Sequence, residues 1–130
     1  MRNGAKILLV EDDALTAEVL RRVLEKAGYS VELRKEGNEG LRAARSLKPA
    51  LILLDFMLPN LDGLKVCKFL KCDAATRGIP VMMLSAAADQ ELQAAARSAG
   101  ADDFLPKPVD MKLLMEHVRN LLKPSPLPEA

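Results

Sequence analysis

Short apolar runs alternate along the chain with longer segments in which apolar residues recur at helical spacing. This alternation predicts parallel strands joined by crossover helices, and hence an α/β fold built from five strand-helix units. The five strand-like runs are Lys6–Val10, Ser30–Arg34, Leu51–Leu54, Ile79–Leu84 and Asp102–Leu105. The second run alternates apolar and polar residues, which is typical of a strand at the edge of a sheet.

The segments between these runs have the periodicity and the end signals of helices. In the first helix the apolar stripe consists of Leu15, Val19, Leu20, Val23 and Leu24. The other four helices are predicted at Gly40–Leu47, Leu64–Lys71, Asp89–Ala99 and Met111–Leu122. Gly28 and Gly100 follow the first and fourth helices, where a glycine commonly ends a helix, and Pro49 stops the second.

One domain is predicted to span residues 1–123. The chain has 130 residues, of which 49% are hydrophobic, and this is enough apolar material for one buried core. Residues 124–130 contain three prolines and are predicted to form an extended linker or a loose terminus. Whether the domain stands alone or is followed by another is left open.

Charge and composition exclude several classes of function. Lys and Arg number 19 against 18 Asp and Glu, so the net charge is close to zero. Without an excess of positive charge, direct binding to nucleic acid or to an anionic membrane is not expected. No apolar stretch is long enough to span a bilayer, and the first residues lack the layout of a secretory signal, so we expect a cytoplasmic protein. Cys67 and Cys72 match no metal or redox spacing and are interpreted as reduced thiols.

Charged side chains follow three of the predicted strands. The first strand is followed by Glu11, Asp12 and Asp13, the third by Asp55, and the fifth, after one proline, by Lys107. Because the carboxyl ends of neighbouring parallel strands meet at one edge of the sheet, we expect an acidic pocket with one lysine there.

The three consecutive acids admit two interpretations. Carboxylates at a helix start accept free backbone N–H groups, and we assign this capping role to Asp13. Glu11 and Asp12 crowd Asp55, however, and at neutral pH such crowding is costly without a counter-ion. A hard divalent cation resolves the conflict, and a set of oxygen ligands favours Mg²⁺.

The pocket also contains the groups that phosphoryl transfer requires. A carboxylate nucleophile such as Asp55 forms an aspartyl-phosphate, and this reaction depends on alignment and charge neutralisation. Lys107 stands between Pro106 and Pro108, so a stiff turn aims its ammonium toward an anion held over the metal. Ser85, at the end of the fourth strand, either starts the next turn or donates a hydrogen bond to a phosphoryl oxygen, and the spacing leaves both interpretations open.

Four ordered motifs together resemble the receiver domain of two-component response regulators. They are Val10–Asp13, Leu54–Pro59 with Asp62–Gly63, Leu84–Ala86 and Asp102–Pro108, and the likeness covers the chain up to Lys123. The resemblance implies a doubly wound, flavodoxin-like sheet of five parallel strands in the order 2-1-3-4-5, with helices on both faces. It also implies a cis peptide bond between Lys107 and Pro108.

The resemblance implies a role for each residue of the pocket. Asp55 would accept a phosphoryl group from a phosphohistidine on a sensor histidine kinase or a phosphotransfer protein. Asp12, Asp55 and the Met57 carbonyl would bind Mg²⁺, Glu11 would assist through water, and Lys107 would pair with the phosphate. The chain would catalyse only its own phosphoryl acceptance and loss, and we expect no enzymatic activity on other substrates.

A conformational switch is implied as well. Ser85 would turn toward the phosphoryl group, the ring of Phe104 would rotate into the vacated space, and the surface of helix 4, strand 5 and helix 5 would change shape. A C-terminal output domain or a downstream protein would read that surface. Phosphorylation-dependent dimerisation is a further expectation.

Three features depart from the pattern usual in this family. Phe104 lacks the hydroxyl that many members carry on a tyrosine, so an output step that uses this group is not available. Pro106 removes a backbone donor from the fifth strand, which an edge strand tolerates. Met57 and Ala87 supply no polar group to orient a hydrolytic water, so we expect slow to moderate loss of the phosphoryl group.

Other functions compete with this interpretation. A haloacid-dehalogenase-type phosphatase typically needs a second Asp two positions after the first, where this chain has Met57. A flavodoxin-like flavin binder places a phosphate loop after the first strand, where the three acids would repel the phosphate. A receiver-like interaction module that is never phosphorylated is the main alternative. His117 is interpreted as a solvated helix residue rather than a phosphoacceptor.

Overall fold

A computed structural model of the chain describes residues 4–86 and 90–122, in which strands and helices alternate. The strands are β1 (Lys6–Val10), β2 (Ser30–Arg34), β3 (Leu51–Asp55), β4 (Val81–Ser85) and β5 (Asp103–Pro106). The helices are α1 (Ala14–Lys26), α2 (Gly37–Leu47), α3 (Gly63–Cys72), α4 (Gln90–Ser98) and α5 (Met111–Leu122). None of the described helices combines the length and the hydrophobicity needed to cross a bilayer.

The five strands form one parallel sheet in the order β2-β1-β3-β4-β5. Leu8 of β1 pairs with Ile52 of β3, and Leu53 of β3 pairs with Met82 of β4. Every residue of β3 and β4 is buried, as is typical of central parallel strands that helices cover on both faces. The predicted α/β class and strand order are confirmed.

Each face of the sheet carries its own hydrophobic core, because successive strand residues point to opposite faces. Leu8, Ile52 and Met83 belong to the core covered by α2, α3 and α4. Ile7 and Leu53 belong to the core on the other face, which α1 and α5 cover. This doubly wound arrangement leaves the carboxyl ends of the strands uncovered at one edge of the sheet.

Two element starts differ from the predicted ones by two or three residues. Helix α2 begins at Gly37 instead of Gly40. The earlier start was not predicted because glycine is a poor helix former. Strand β4 begins at Val81 rather than Ile79. The Ile79 amide closes a turn within the preceding loop, and Pro80 has no N–H to donate.

The remaining differences are of one residue. Strand β3 includes Asp55, and β5 ends at Pro106, whose missing N–H an edge strand tolerates. The predicted start of α4 at Asp89 lies outside the described residues. The predicted tail, residues 124–130, also lies outside them.

The predicted apolar stripe of α1 is only partly buried. Leu20 and Leu24 face the core together with Ala17, but Leu15 is 74% exposed and Val19 is 41% exposed. The part of the stripe that Leu15 and Val19 form is turned away from the sheet, toward the loop between β5 and α5. The sequence predicted the stripe but not how much of it is buried, since helical periodicity does not say where the covered arc of a helix ends.

The two cysteines are free thiols, as predicted. Cys72 is exposed, whereas Cys67 is buried on α3 and donates its S–H to the Ala99 carbonyl at 3.6 Å. Burial raises the pKa of the Cys67 thiol to about 11, so this side chain is a neutral packing group at physiological pH.

One lysine joins three elements at the amino edge of the sheet. Lys71 of α3 donates to the Ile79 carbonyl at 2.8 Å and contacts Asp102 Oδ2 at 2.9 Å. Asp102 Oδ2 in turn accepts the backbone N–H of Val81 at 2.8 Å. The lysine is only 17% exposed at its side chain, so these bonds are partly shielded from water.

We predict that Lys71→Ala lowers the free energy of unfolding by about 1–3 kcal/mol, because it leaves the Ile79 carbonyl and the Asp102 carboxylate without this donor. Lys68→Ala is the matched control: Lys68 lies on the same helix but is exposed, and its loss should cost less than about 0.5 kcal/mol. Urea unfolding followed by circular dichroism measures both. Equal losses in the two variants would contradict a stabilising role for this network.

Candidate functional site

The strand register brings the predicted site residues to one edge of the sheet. Val10 pairs with Leu54, so Glu11 and Asp55, each one residue further on, are neighbours. On the other side of Asp55, Ser85 ends β4 and pairs with Pro106. The next residue, Lys107, donates its backbone N–H to the Ser85 carbonyl at 2.8 Å. The peptide bond from Lys107 to the following proline is cis, as predicted.

Three carboxylates meet at this edge. Glu11 is 2% exposed and Asp55 is 4% exposed, whereas Asp12 is open to solvent. One carboxylate oxygen from each of the three lies within 4.8 Å of the others. Asp13 does not join them, because its carboxylate caps α1 and accepts the Thr16 N–H at 2.9 Å. The division between one capping acid and three pocket acids is therefore as predicted.

Lys107 is the cation that faces the two buried acids. Its Nζ lies 2.7 Å from Glu11 Oε1 and 3.2 Å from Asp55 Oδ2, and its side chain is 20% exposed. Burial by itself lowers the pKa of Lys107, but the two carboxylates outweigh burial and raise that pKa. The lysine is therefore charged throughout the physiological range.

Glu11 is the buried acid whose ionisation this crowding disfavours. Burial, together with the nearby Asp55, raises the pKa of Glu11 to about 7, against the opposing effects of Lys107 and of the Asp13 N–H. Glu11 Oε2 accepts the Asp13 N–H at 3.1 Å. Glu11 Oε1 is buried, and among the described residues it has no aligned hydrogen-bond donor despite its short distance to the lysine.

This donor set fits a hard divalent cation. The pocket offers carboxylate oxygens of three acids and only one lysine to balance them, and one buried oxygen lacks an aligned donor. Mg²⁺ commonly binds through one or two carboxylates and keeps several waters, a mode that the exposed Asp12 permits. Glu11, Asp12 and Asp55 are therefore the side chains that would hold the ion, which would supply the positive charge that the three carboxylates lack.

The loop after β3 folds back over Asp55. The Met57 N–H donates to Asp55 Oδ1 at 3.3 Å, which brings the Met57 backbone to the pocket. The Gly63 N–H bonds to the Phe56 carbonyl at 2.9 Å, and a Cβ on Gly63 would lie 2.3 Å from the Asp55 carbonyl oxygen. Only glycine allows this approach. The predicted ligand role of the Met57 carbonyl stays a prediction.

Ser85 and Phe104 lie in different surroundings. Ser85 is buried at the end of β4, one strand from Asp55 and beside the backbone of Lys107. Phe104 is half-buried on β5, where it pairs with Met83 and packs against the core under α4. The serine therefore lies at the edge of the pocket, whereas the phenylalanine lies further from the carboxyl end of the sheet, beside α4.

One pair of residues near Phe104 was missed in the sequence. His117 of α5, interpreted above as solvated, is half-buried and places its Nδ1 2.5 Å from Asp103 Oδ2. Asp103 Oδ1 also accepts the Phe104 N–H at 2.8 Å. His117 directly precedes Val118, which is buried, so its position in the sequence indicates that it borders the inner face of the helix. Its partner on β5 is known only from the tertiary structure.

Comparison with known proteins gives a consistent family. The family model for the response regulator receiver domain matches residues 7–119. The response regulator MprA of Mycolicibacterium vanbaalenii is 42% identical over 118 residues, which are 91% of this chain and 50% of that protein. RpaA of Synechocystis, described as a DNA-binding dual master transcriptional regulator, is 40% identical over 91% of this chain and 49% of that protein. The chain spans about half the length of these curated relatives.

A solved structure gives the same result for the fold. The receiver domain of the sensor histidine kinase PA1611 from Pseudomonas aeruginosa PAO1 matches with a TM-score of 0.86 at 31% identity, over 92% of this chain and 98% of that chain. That crystal structure has a magnesium ion coordinated in its active site cleft.

Removing the Glu11 carboxylate is predicted to change how stability depends on pH. The pKa of Glu11, about 7 in the fold, lies above its ordinary value of 4.5, so folding favours the protonated form. The stability that Glu11 contributes is complete below pH 4.5 and is lost as the pH rises through 7. Glu11→Gln cannot ionise. Without metal, the free energy of unfolding of this variant relative to that of the wild type should therefore increase by about 2–3 kcal/mol as the pH rises from 5 to 8.

Urea unfolding in EDTA at a series of pH values measures this difference. Glu116→Gln, on the exposed face of α5, is the matched control and should follow the wild-type curve. If the Glu11→Gln curve also runs parallel to the wild type, the crowding of the buried carboxylates has no energetic consequence and the description of the pocket is wrong.

Proposed function

The chain belongs to the family of response regulator receiver domains, and from that membership we propose that it is a phosphorylation-activated switch with Asp55 as phosphoacceptor. The observation that carries the proposal is the position of Asp55. Its buried carboxylate lies 3.2 Å from the Lys107 ammonium, and one of its oxygens lies within 4.8 Å of an oxygen from each of two further acids. A lone structural aspartate would not need this combination of cation and acids.

The proposed donor is a phosphohistidine on a sensor histidine kinase or a phosphotransfer protein. An oxygen of Asp55 attacks the phosphorus, a P–O bond forms, and the P–N bond to the imidazole breaks. The imidazole nitrogen keeps the electron pair and takes up a proton. The protein contributes alignment and charge, which dominate phosphoryl transfer.

Each neighbour of Asp55 has a part in this step. The Met57 N–H fixes Oδ1, so Oδ2 is the oxygen that faces Lys107. The lysine, which is charged, then offsets the negative charge of the transferred group. Asp12 would hold Mg²⁺ with Asp55, and Glu11 would assist through water; the positive charge would keep the crowded acids compatible with a further anion. Loss of the phosphoryl group is self-catalysed, and no other substrate is proposed.

The proposed output is a change of the surface formed by α4, β5 and α5. Ser85 turns its hydroxyl toward a phosphoryl oxygen, and the ring of Phe104 moves toward the space that the serine leaves. The hydrogen bond from the Phe104 N–H to Asp103, and that between Asp103 and His117, support transmission from β5 to α5.

The partners on the output side are proposed from the relatives. RpaA, which is about twice as long as the matched region, is described as DNA-binding, so an attached output domain or a separate downstream protein would read the changed surface. Direct contact of this domain with nucleic acid is not proposed, since its net charge is +1. A phosphorylation-dependent dimer is a further proposal.

We predict that acetyl phosphate with Mg²⁺ adds one phosphoryl group to the wild type and none to Asp55→Asn, because the amide is not a nucleophile for this transfer. Intact-mass spectrometry measures the product. Asp110→Asn is the matched control: it keeps a capping side chain at the start of α5 and should be labelled like the wild type.

Two results would count against the switch. Equal labelling of Asp55→Asn and the wild type would move the acceptor elsewhere. A wild type that no small phosphodonor and no phosphorylated histidine kinase can label would favour the interaction module that is never phosphorylated.

Ser85→Ala should separate phosphorylation from output. With beryllofluoride and Mg²⁺ as a phosphoryl mimic, the amide shifts that the mimic causes at Phe104 and His117 should be smaller in Ser85→Ala, because the hydroxyl that turns is absent. Two-dimensional NMR measures them. Ser46→Ala, exposed on α2, is the control. Wild-type shifts in Ser85→Ala would refute the role of the serine.

A further inference from the structure

Helix α2 begins against its local propensity. Gly37 is its first residue and Gly40 follows one turn later, although glycine is among the poorest helix formers. The residue before the helix, Glu36, makes no side-chain capping hydrogen bond. Where a sequence breaks a local rule, a tertiary or functional reason is expected.

The two glycines contact different parts of the molecule. A Cβ on Gly37 would lie 2.2 Å from the Leu61 carbonyl oxygen and 2.8 Å from Val66 Cγ2. A Cβ on Gly40 would lie 2.8 Å from Val10 Cγ2, a core side chain of β1. Gly40 therefore seats the helix on the sheet, whereas Gly37 lets the start of the helix press on the backbone of a loop.

That loop is the one that carries Met57, whose backbone N–H bonds to Asp55. It comprises residues 56–62, between β3 and α3, and is internally bonded, since the Leu61 N–H donates to the Pro59 carbonyl at 2.8 Å. Three of its apolar side chains pack against the core covered by α2, α3 and α4: Phe56, Leu58 and Leu61. A displacement at Leu61 is therefore passed along the loop to Met57, whose N–H bonds to Asp55 Oδ1.

We propose that the start of α2, through Gly37, holds the loop of residues 56–62 in the position that places the Met57 backbone against Asp55. Gly37 is thus a positioning residue that acts through Leu61. The mechanical part of this inference is independent of phosphorylation. Its consequence for Mg²⁺ rests on the proposed function.

The chain offers a graded set of variants for a test. Gly37→Ala should displace the loop backbone, and Gly40→Ala should crowd a core side chain, Val10, whose Cγ2 would lie 2.8 Å from the added Cβ. Gly78→Ala is the neutral control, because a Cβ there has no atom within 4 Å. All three make the same chemical change, so differences between them report location.

The first measurement is amide hydrogen exchange by NMR on the metal-free protein, together with the free energy of unfolding. In Gly37→Ala the Met57 and Leu61 amides should exchange about tenfold faster, relative to β1 amides, than in the wild type. In Gly40→Ala any acceleration should be shared by loop and strand, since the whole fold is destabilised. Gly78→Ala should match the wild type.

The second measurement is Mg²⁺ affinity by calorimetric titration. Gly37→Ala should weaken binding on the order of tenfold, as loss of an outer support typically does, while Gly40→Ala and Gly78→Ala keep the wild-type affinity. Wild-type exchange at Met57 in Gly37→Ala, or equal effects in Gly37→Ala and Gly40→Ala, would overturn the inference. A wild type that binds no Mg²⁺ would contradict the proposed function, and the exchange data would still decide the role of Gly37.

Discussion

Two buried carboxylates share one ammonium group, and this unequal charge balance is the constraint on which the rest of the site depends. Glu11 and Asp55 both lie against Lys107, and the exposed Asp12 adds a third negative group. Burial makes ionisation of the second acid costly, which is why the pKa of Glu11 rises to about 7. A pocket of this kind is stabilised by a proton or by a divalent cation. Under the proposed function, the cation would also offset the further negative charge of a phosphoryl group on Asp55.

The parallel sheet makes this crowding possible. Helices cover both faces of β1, β3 and β4, so the strands are apolar along their length and polar groups gather only where the strands end. The fixed register then places Glu11 beside Asp55 without any direct linkage in sequence. The hydrophobic cores therefore hold together charges that would otherwise move apart.

The pocket has two sides: one carries the loop that bonds to Asp55, and the other faces β5 and the helices α4 and α5. On the first side, the glycine contacts at Gly63 and Gly37 hold the loop that supplies the Met57 N–H. On the second, Ser85 pairs with Pro106 of β5, and the same strand carries Phe104 and the bond between Asp103 and His117. The pocket thus lies between the loop that is bonded to Asp55 and the strand that is bonded to α5.

The sequence by itself determined the class of fold and the identity of the pocket residues, and the strand order followed from its resemblance to receiver domains. Apolar runs, glycines and prolines report local geometry, and the resemblance to receiver domains rested on short motifs around Asp55 and Lys107. The sequence did not determine that Leu15 and Val19 are exposed, that α2 starts at Gly37, or that His117 pairs with Asp103. These depend on how helices are turned against the sheet and on which residues meet across strands. Only the tertiary structure decides them, because periodicity describes one element at a time and distance between elements is set by packing.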